Sequence, residues 1–124
     1  MAHVLVVDDE TALAELIGTY LEASGYRVTV AHDGQQALAL DAQDPVDAVI
    51  TDFAMPGMNG RDLVARLRCR RPGLPAIMVS GYVGMRGLDI SPLLLLNKPV
   101  GLAILVRHLR ELLADEGTAR GFTD

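Results

Sequence analysis

Apolar and polar positions follow two rhythms along this chain, short continuous runs and helical stripes, and they alternate. Residues 3–7 (His3-Val4-Leu5-Val6-Val7) form an apolar run that stops at Asp8-Asp9-Glu10, as a buried parallel strand does. Over residues 11–24 the apolar positions Leu13, Leu16, Ile17 and Leu21 recur at helical spacing, and Gly25 follows as a C-terminal cap. Residues 26–31 are extended and rich in β-branched side chains. Asp33-Gly34 opens a second helix to about Gln43, and residues 46–51 form another apolar run ending in Asp52. Pro56, Gly57, Asn59 and Gly60 make residues 53–60 a loop, and a helix follows from Arg61 to about Arg70. After a turn bracketed by Pro72 and Pro75, residues 76–80 predict a fourth strand ending in the hydroxyl of Ser80. Residues 93–97 predict a fifth that runs into Lys98-Pro99. Leu105, Leu109, Leu112 and Leu113 give a last helix, residues 102–114, its apolar stripe. Residues 1–115 are read as one domain and residues 116–124, with Gly117 and Gly121, as a flexible tail.

Five strands alternating with helices predict an α/β fold with an open, mostly parallel sheet covered on both faces. In such sheets ligands bind beyond the carboxyl ends of the strands. Four of the five strand ends here carry or directly precede a reactive side chain: Asp8-Asp9, Asp52, Ser80 and Lys98. All are expected at one edge of the domain.

Composition narrows the functional classes. The chain has 124 residues, 50% hydrophobic and 22% charged, which excludes disorder and a disulfide-stapled mini-protein. A single cysteine, Cys69, and the lack of a basic leader in residues 1–20 point to the cytoplasm. No apolar run approaches the roughly 20 residues that cross a bilayer. A net charge of −5 argues against direct nucleic-acid contact and for a protein partner. Lys98 is the only lysine in the chain, every other Lys/Arg cation being arginine.

Three carboxylates converging on one pocket repel one another unless a cation neutralises them. Oxygen ligands with open positions for water suit Mg²⁺, with Mn²⁺ able to substitute, and no paired His or Cys stands at zinc-ligand spacing. With a metal present, Asp52 can attack phosphorus while Lys98 neutralises the equatorial oxygens as a point charge. Ser80 adds a hydroxyl donor, and the backbone N–H groups of Ala54 and Gly81 complete the cradle.

The acid pair in Val6-Val7-Asp8-Asp9, the stretch from Asp52 to Gly60, Ser80-Gly81-Tyr82 and Lys98-Pro99 occur in this order. In this arrangement the chain resembles the receiver domain of two-component response regulators over residues 3–115. The resemblance implies a flavodoxin-like three-layer fold, a parallel sheet in strand order 2-1-3-4-5 with helices on both faces. It implies phosphotransfer to Asp52 from a histidine kinase or histidine phosphotransfer protein, and signalling through a downstream protein or phosphorelay. Such a domain is a phosphoacceptor rather than an enzyme, at most taking phosphate from small donors and losing it again. By the same likeness Asp9, Asp52 and the carbonyl of Ala54 touch Mg²⁺ directly, Asp8 acts through water, and Lys98-Pro99 is a cis peptide.

Two features depart from the family pattern. Leu95 stands where most receivers place an aromatic switch residue, so a signal leaves by another route. The segment from Ser80 to Lys98 is about one helical turn short and contains Gly84, Gly87 and Pro92, which predicts a short, irregular or mobile fourth helix. Pairing through the usual face of that helix is then weakened, and a monomer or weak dimer is expected. With no output domain after residue 115, the chain is expected to act as a stand-alone module.

The same residues also bear on other readings. A pseudo-receiver that only binds partners is opposed by the presence of Asp8, Asp9, Asp52 and Lys98 together. A Mg²⁺-dependent aspartyl-phosphate phosphatase carries its nucleophile on the first strand with another Asp two residues on, a spacing Asp8-Asp9 lacks. Arg66, Arg68, Arg70 and Arg71 read as a solvated helix end that complements the helix dipole. Cys69 reads as a half-buried inert thiol. His3, His32 and His108 are too scattered for a metal site, Met55 and Met58 read as loop packing, and Ile104 is a candidate exposed apolar residue for a docking partner.

Overall fold

The computed structural model describes residues 1–80, 93–97 and 101–121. Its elements are β1 (His3–Val7), α1 (Thr11–Ala23), β2 (Arg27–Ala31), α2 (Gly34–Gln43), β3 (Ala48–Asp52), α3 (Gly60–Arg70), β4 (Ala76–Ser80), β5 (Leu93–Asn97) and α4 (Leu102–Gly121). All five strands pair in parallel in the order β2-β1-β3-β4-β5, so β1 and β3 lie in the interior of the sheet.

Strand periodicity divides the core into two layers. Leu5, Val7, Val49, Ala76 and Met78 point to one face, where Ala37 of α2 and Leu63, Val64 and Leu67 of α3 cover them. Val4, Val6, Ala48, Ile50, Ile77 and Val79 point to the other, against Ala14, Ile17 and Leu21 of α1 and Leu105, Val106 and Leu109 of α4. Because both faces are covered, β1, β3 and β4 are buried along their whole length and read as near-continuous apolar runs, whereas the edge strand β2 carries Arg27 and Thr29 and is only partly buried.

Local signals set the helix boundaries. The Asp33 carboxylate accepts from the Gln36 N–H at 2.7 Å to open α2, and Asn59 does the same for Asp62 at 2.8 Å to open α3. At the end of α1, Gly25 has φ 100° and the Tyr26 N–H reaches back to the Leu21 carbonyl at 3.1 Å, a glycine C-cap. The last helix runs past the expected end at Ala114 to Gly121. A lone Gly117 costs a helix only about 1 kcal/mol against alanine, too little to terminate it. The expected short fourth helix, its predicted mobility and the Lys98-Pro99 peptide lie outside the described residues, as do residues 122–124.

The arginines at the end of α3 differ from a merely solvated cluster. Asp41, with a fully buried side chain, accepts from the Val46 N–H at 3.0 Å, from Arg70 at 2.9 Å and from Arg71. Arg68 donates through Nε and Nη2 to the Leu74 carbonyl at 3.1 and 2.8 Å. Burial alone would raise the Asp41 pKa, but the Val46 N–H and the two arginines overcome it and hold the carboxyl below the ordinary range. His3, also buried, bonds Pro45 O at 3.1 Å and Thr29 Oγ1 at 2.7 Å through its ring. These polar contacts close the amino-terminal edge of the sheet. Cys69 faces solvent on the outer side of α3 and is exposed rather than half-buried.

Candidate functional site

At the opposite edge, parallel register brings the strand ends together. β1 and β3 are adjacent, with Val7 beside Thr51, so Asp8 and Asp52 leave neighbouring strands at the same height. One carboxylate oxygen from each of Asp8, Asp9 and Asp52 lies within 4.8 Å of the others. Asp8 is 4% exposed and Asp52 7%, while Asp9 is open to solvent. Two backbone contacts fix the frame: the Asp8 N–H donates to Ala31 O at 3.2 Å, and the Phe53 N–H donates to Val79 O at 3.0 Å. Asp8 Oδ1 also accepts from the Glu10 N–H at 2.9 Å, which aims its carboxylate toward the start of α1.

Ser80 closes β4 and is buried, one strand over from Asp52. Its register partner on β5 is Asn97, the residue before Lys98 in sequence. Ala54 sits exposed in the loop two residues past Asp52. Lys98 and Gly81 lie outside the described residues. Among the described residues, Val6, Leu13, Ile17, Ile50, Val79 and Leu102 line a hollow of about 200 Å³ that opens beside Asp8 and Asp52. One side of the acid cluster is therefore apolar, where charge is poorly screened.

Two glycines shape the site in ways that a scan for reactive side chains passes over. A Cβ at Gly60 would stand 2.4 Å from the Asp52 carbonyl oxygen, and the Gly60 N–H donates to Phe53 O at 2.8 Å. The first turn of α3 therefore rests on the backbone of the acid-bearing strand, an approach open only to glycine. A Cβ at Gly34 would stand 2.8 Å from Met58 Sδ, so Met58 packs the site loop onto the start of α2. The available sequence signal was the Met58-Asn59-Gly60 punctuation.

Three hard oxygen donors at this spacing fit a small divalent cation such as Mg²⁺. The family model of the response regulator receiver domain matches residues 4–110. The chain belongs to this family. It is 35% identical over 118 residues to TcrX, a probable transcriptional regulatory protein of Mycobacterium tuberculosis, covering 92% of this chain and 50% of that one. The receiver thus spans about half the length of the curated relatives it matches. Its structure is similar to the CheY-like response regulator receiver domain protein of Methanospirillum hungatei, with TM-score 0.87 and 27% identity over 96% of this chain and 98% of that one. It is also similar to the response regulator TrrA of Thermotoga maritima in complex with Mg²⁺-BeF, with TM-score 0.80 and 28% identity over 90% and 99%. Receiver domains are signalling domains rather than classical enzymes, phosphorylated by histidine kinases or phosphotransfer proteins, and they generally bind Mg²⁺ at an acidic pocket. Among the described residues no helix is long and apolar enough to cross a membrane.

Proposed function

We propose that Asp52 is the phosphoacceptor of this receiver and that Asp8, Asp9 and Asp52, with the Ala54 carbonyl, hold Mg²⁺ beside it. The observation that carries this reading is the meeting of three carboxylates within 4.8 Å at the carboxyl edge of the sheet, two of them buried. A bound Mg²⁺ would offset the negative charge of the carboxylates and of an incoming phosphoryl group. The complex of TrrA with Mg²⁺-BeF supports magnesium as the ion.

In the transfer, an Asp52 carboxylate oxygen attacks the phosphorus of a phosphohistidine in line, the P–O bond forms as the P–N bond breaks, and the electron pair returns to the imidazole. Ser80 donates its hydroxyl to a phosphoryl oxygen, Lys98 supplies the counter-charge, and the Ala54 and Gly81 N–H groups complete the cradle. The donor is a histidine kinase or histidine phosphotransfer protein in the cytoplasm, and the phosphorylated domain signals to a protein partner or passes phosphate on.

Intact-mass measurement after incubation with acetyl phosphate and Mg²⁺ tests the assignment. Wild type should gain one phosphoryl mass, and Asp52→Asn should not. A wild type that gains nothing with Mg²⁺ present would overturn the phosphoacceptor reading.

A further inference from the structure

The solvent side of α1 carries an uncharged stripe, Ala12, Leu16, Thr19, Tyr20 and Ala23, in which Leu16 is 54% and Tyr20 38% exposed. The two borders of the stripe carry opposite charge. On the β2 side stand Glu15 and Glu22, both exposed; this is the side where Gly18 packs against Val30, its Cβ position 3.1 Å from Val30 Cγ2. On the α4 side Tyr20 and Ser24 share a groove with Val106, Arg107 and Arg110. Both arginines are exposed, in a chain whose net charge is −5. Glu111 also borders this groove, with its carboxylate 3.7 Å from His108.

An apolar stripe with acids along one border and bases along the other is complementary to itself in only one orientation. Two copies stacked face to face are related by a two-fold axis lying in the interface. If that axis crosses the helix, α1 pairs antiparallel and Glu15 of one copy meets Glu22 of the other, a like-charge contact. If it runs along the helix, α1 pairs parallel, heights are kept and the left border of one copy meets the right border of the other. Glu22, between the levels of Tyr20 and Ser24, then faces Arg107 and Arg110, while Leu16 and Tyr20 close on their own copies. We propose that this face is a homodimer interface, formed by two copies of the chain docking α1 on α1 about a two-fold axis parallel to the helix.

The stripe is only about 20 Å long, so the pairing belongs with small interfaces and is weak. Sedimentation equilibrium of the unphosphorylated chain, from micromolar to millimolar concentration at low and high salt, tests it. Wild type should dimerise in the upper part of that range and weaken at high salt. Leu16→Glu, at an exposed position, should melt like wild type and associate at least about tenfold more weakly. Glu22→Arg leaves a mainly basic face, and the double variant Arg107→Glu/Arg110→Glu an acidic one. Each should be monomeric alone, and an equimolar mixture of the two should dimerise. A wild type that stays monomeric to millimolar concentration overturns the proposal and leaves the stripe to a helix of another protein. A dimer that survives Leu16→Glu uses a different face, and a mixture no more associated than its parts rules out the parallel arrangement.

Discussion

Alanine at position 60 probes how firmly the acid-bearing strand is tied to α3. Its Cβ would stand 2.4 Å from the Asp52 carbonyl oxygen and 3.1 Å from Phe53 Cα. Carbon and oxygen in contact sit at about 3.3 Å, so roughly 0.9 Å has to open between two pieces of backbone. Neither piece is a flexible side chain that can swing away, and the Gly60 N–H bond to Phe53 O at 2.8 Å resists the opening. Overpacking of this kind costs about 1–3 kcal/mol, of which the better helix propensity of alanine returns under about 1 kcal/mol. The melting temperature should fall by roughly 4–8 °C. Function should suffer more than stability, because the displaced carbonyl belongs to Asp52 itself and Ala54 follows two residues on. A shift near 1 Å can slow a positioned reaction by about 100-fold. Circular dichroism melts and the time course of phosphoryl mass gain, both with Mg²⁺, measure the two effects. If Gly60→Ala melts within about a degree of wild type and is phosphorylated at the same rate, the close approach does not govern the site.

At the opposite edge, Asp41→Asn should cost about 3 kcal/mol at neutral pH, because it leaves two arginines facing a neutral amide. The folded pKa of Asp41 is depressed, so its contribution is complete above the unfolded value near 4 and is lost as pH falls through the lower folded value. Urea melts of both proteins should therefore converge in acid; a gap that persists there, or is under about 1 kcal/mol at neutral pH, rejects the charged network. For the metal, Mg²⁺ at about ten times its Kd should stabilise wild type by roughly 1.4 kcal/mol and should do little for Asp9→Asn at the same concentration. Equal shifts in the two melting temperatures would place the ion elsewhere. Gly34→Ala should cost about 1 kcal/mol in wild type and clearly less beside Met58→Ala; additive losses in that double-mutant cycle would show that the contact is not what limits position 34.

Most of the sheet could be read from the chain because a strand covered on both faces has no polar alternation to confuse it. The runs at residues 3–7 and 76–80 begin and end where the structure begins and ends β1 and β4. Convergence of Asp8, Asp9 and Asp52 followed from the runs at residues 3–7 and 46–51, since parallel strands present their carboxyl ends to one edge. Less legible were contacts whose partners are far apart in sequence. Arg70 and Arg71 sit in an arginine cluster that suits a helix end, and nothing local says that Asp41, some thirty residues earlier, will be buried between them. Gly60 read as loop punctuation because a need for space appears only when another backbone arrives. The end of α4 was missed because its apolar stripe stops at Leu113 while the helix continues without one.

β1 and β3, the strands that end in the acid cluster, each have a hydrogen-bonded neighbour on both sides. Backbone in that position opens through unfolding of the whole sheet rather than by fraying at an edge. On heating, the half-life of the acid pocket should therefore match the unfolding half-life of the domain, with no earlier inactivated but still folded form. Longevity of the site then becomes a property of the entire sheet, and stabilising changes placed far from the carboxylates, at the amino-terminal edge, should prolong it as effectively as changes beside them.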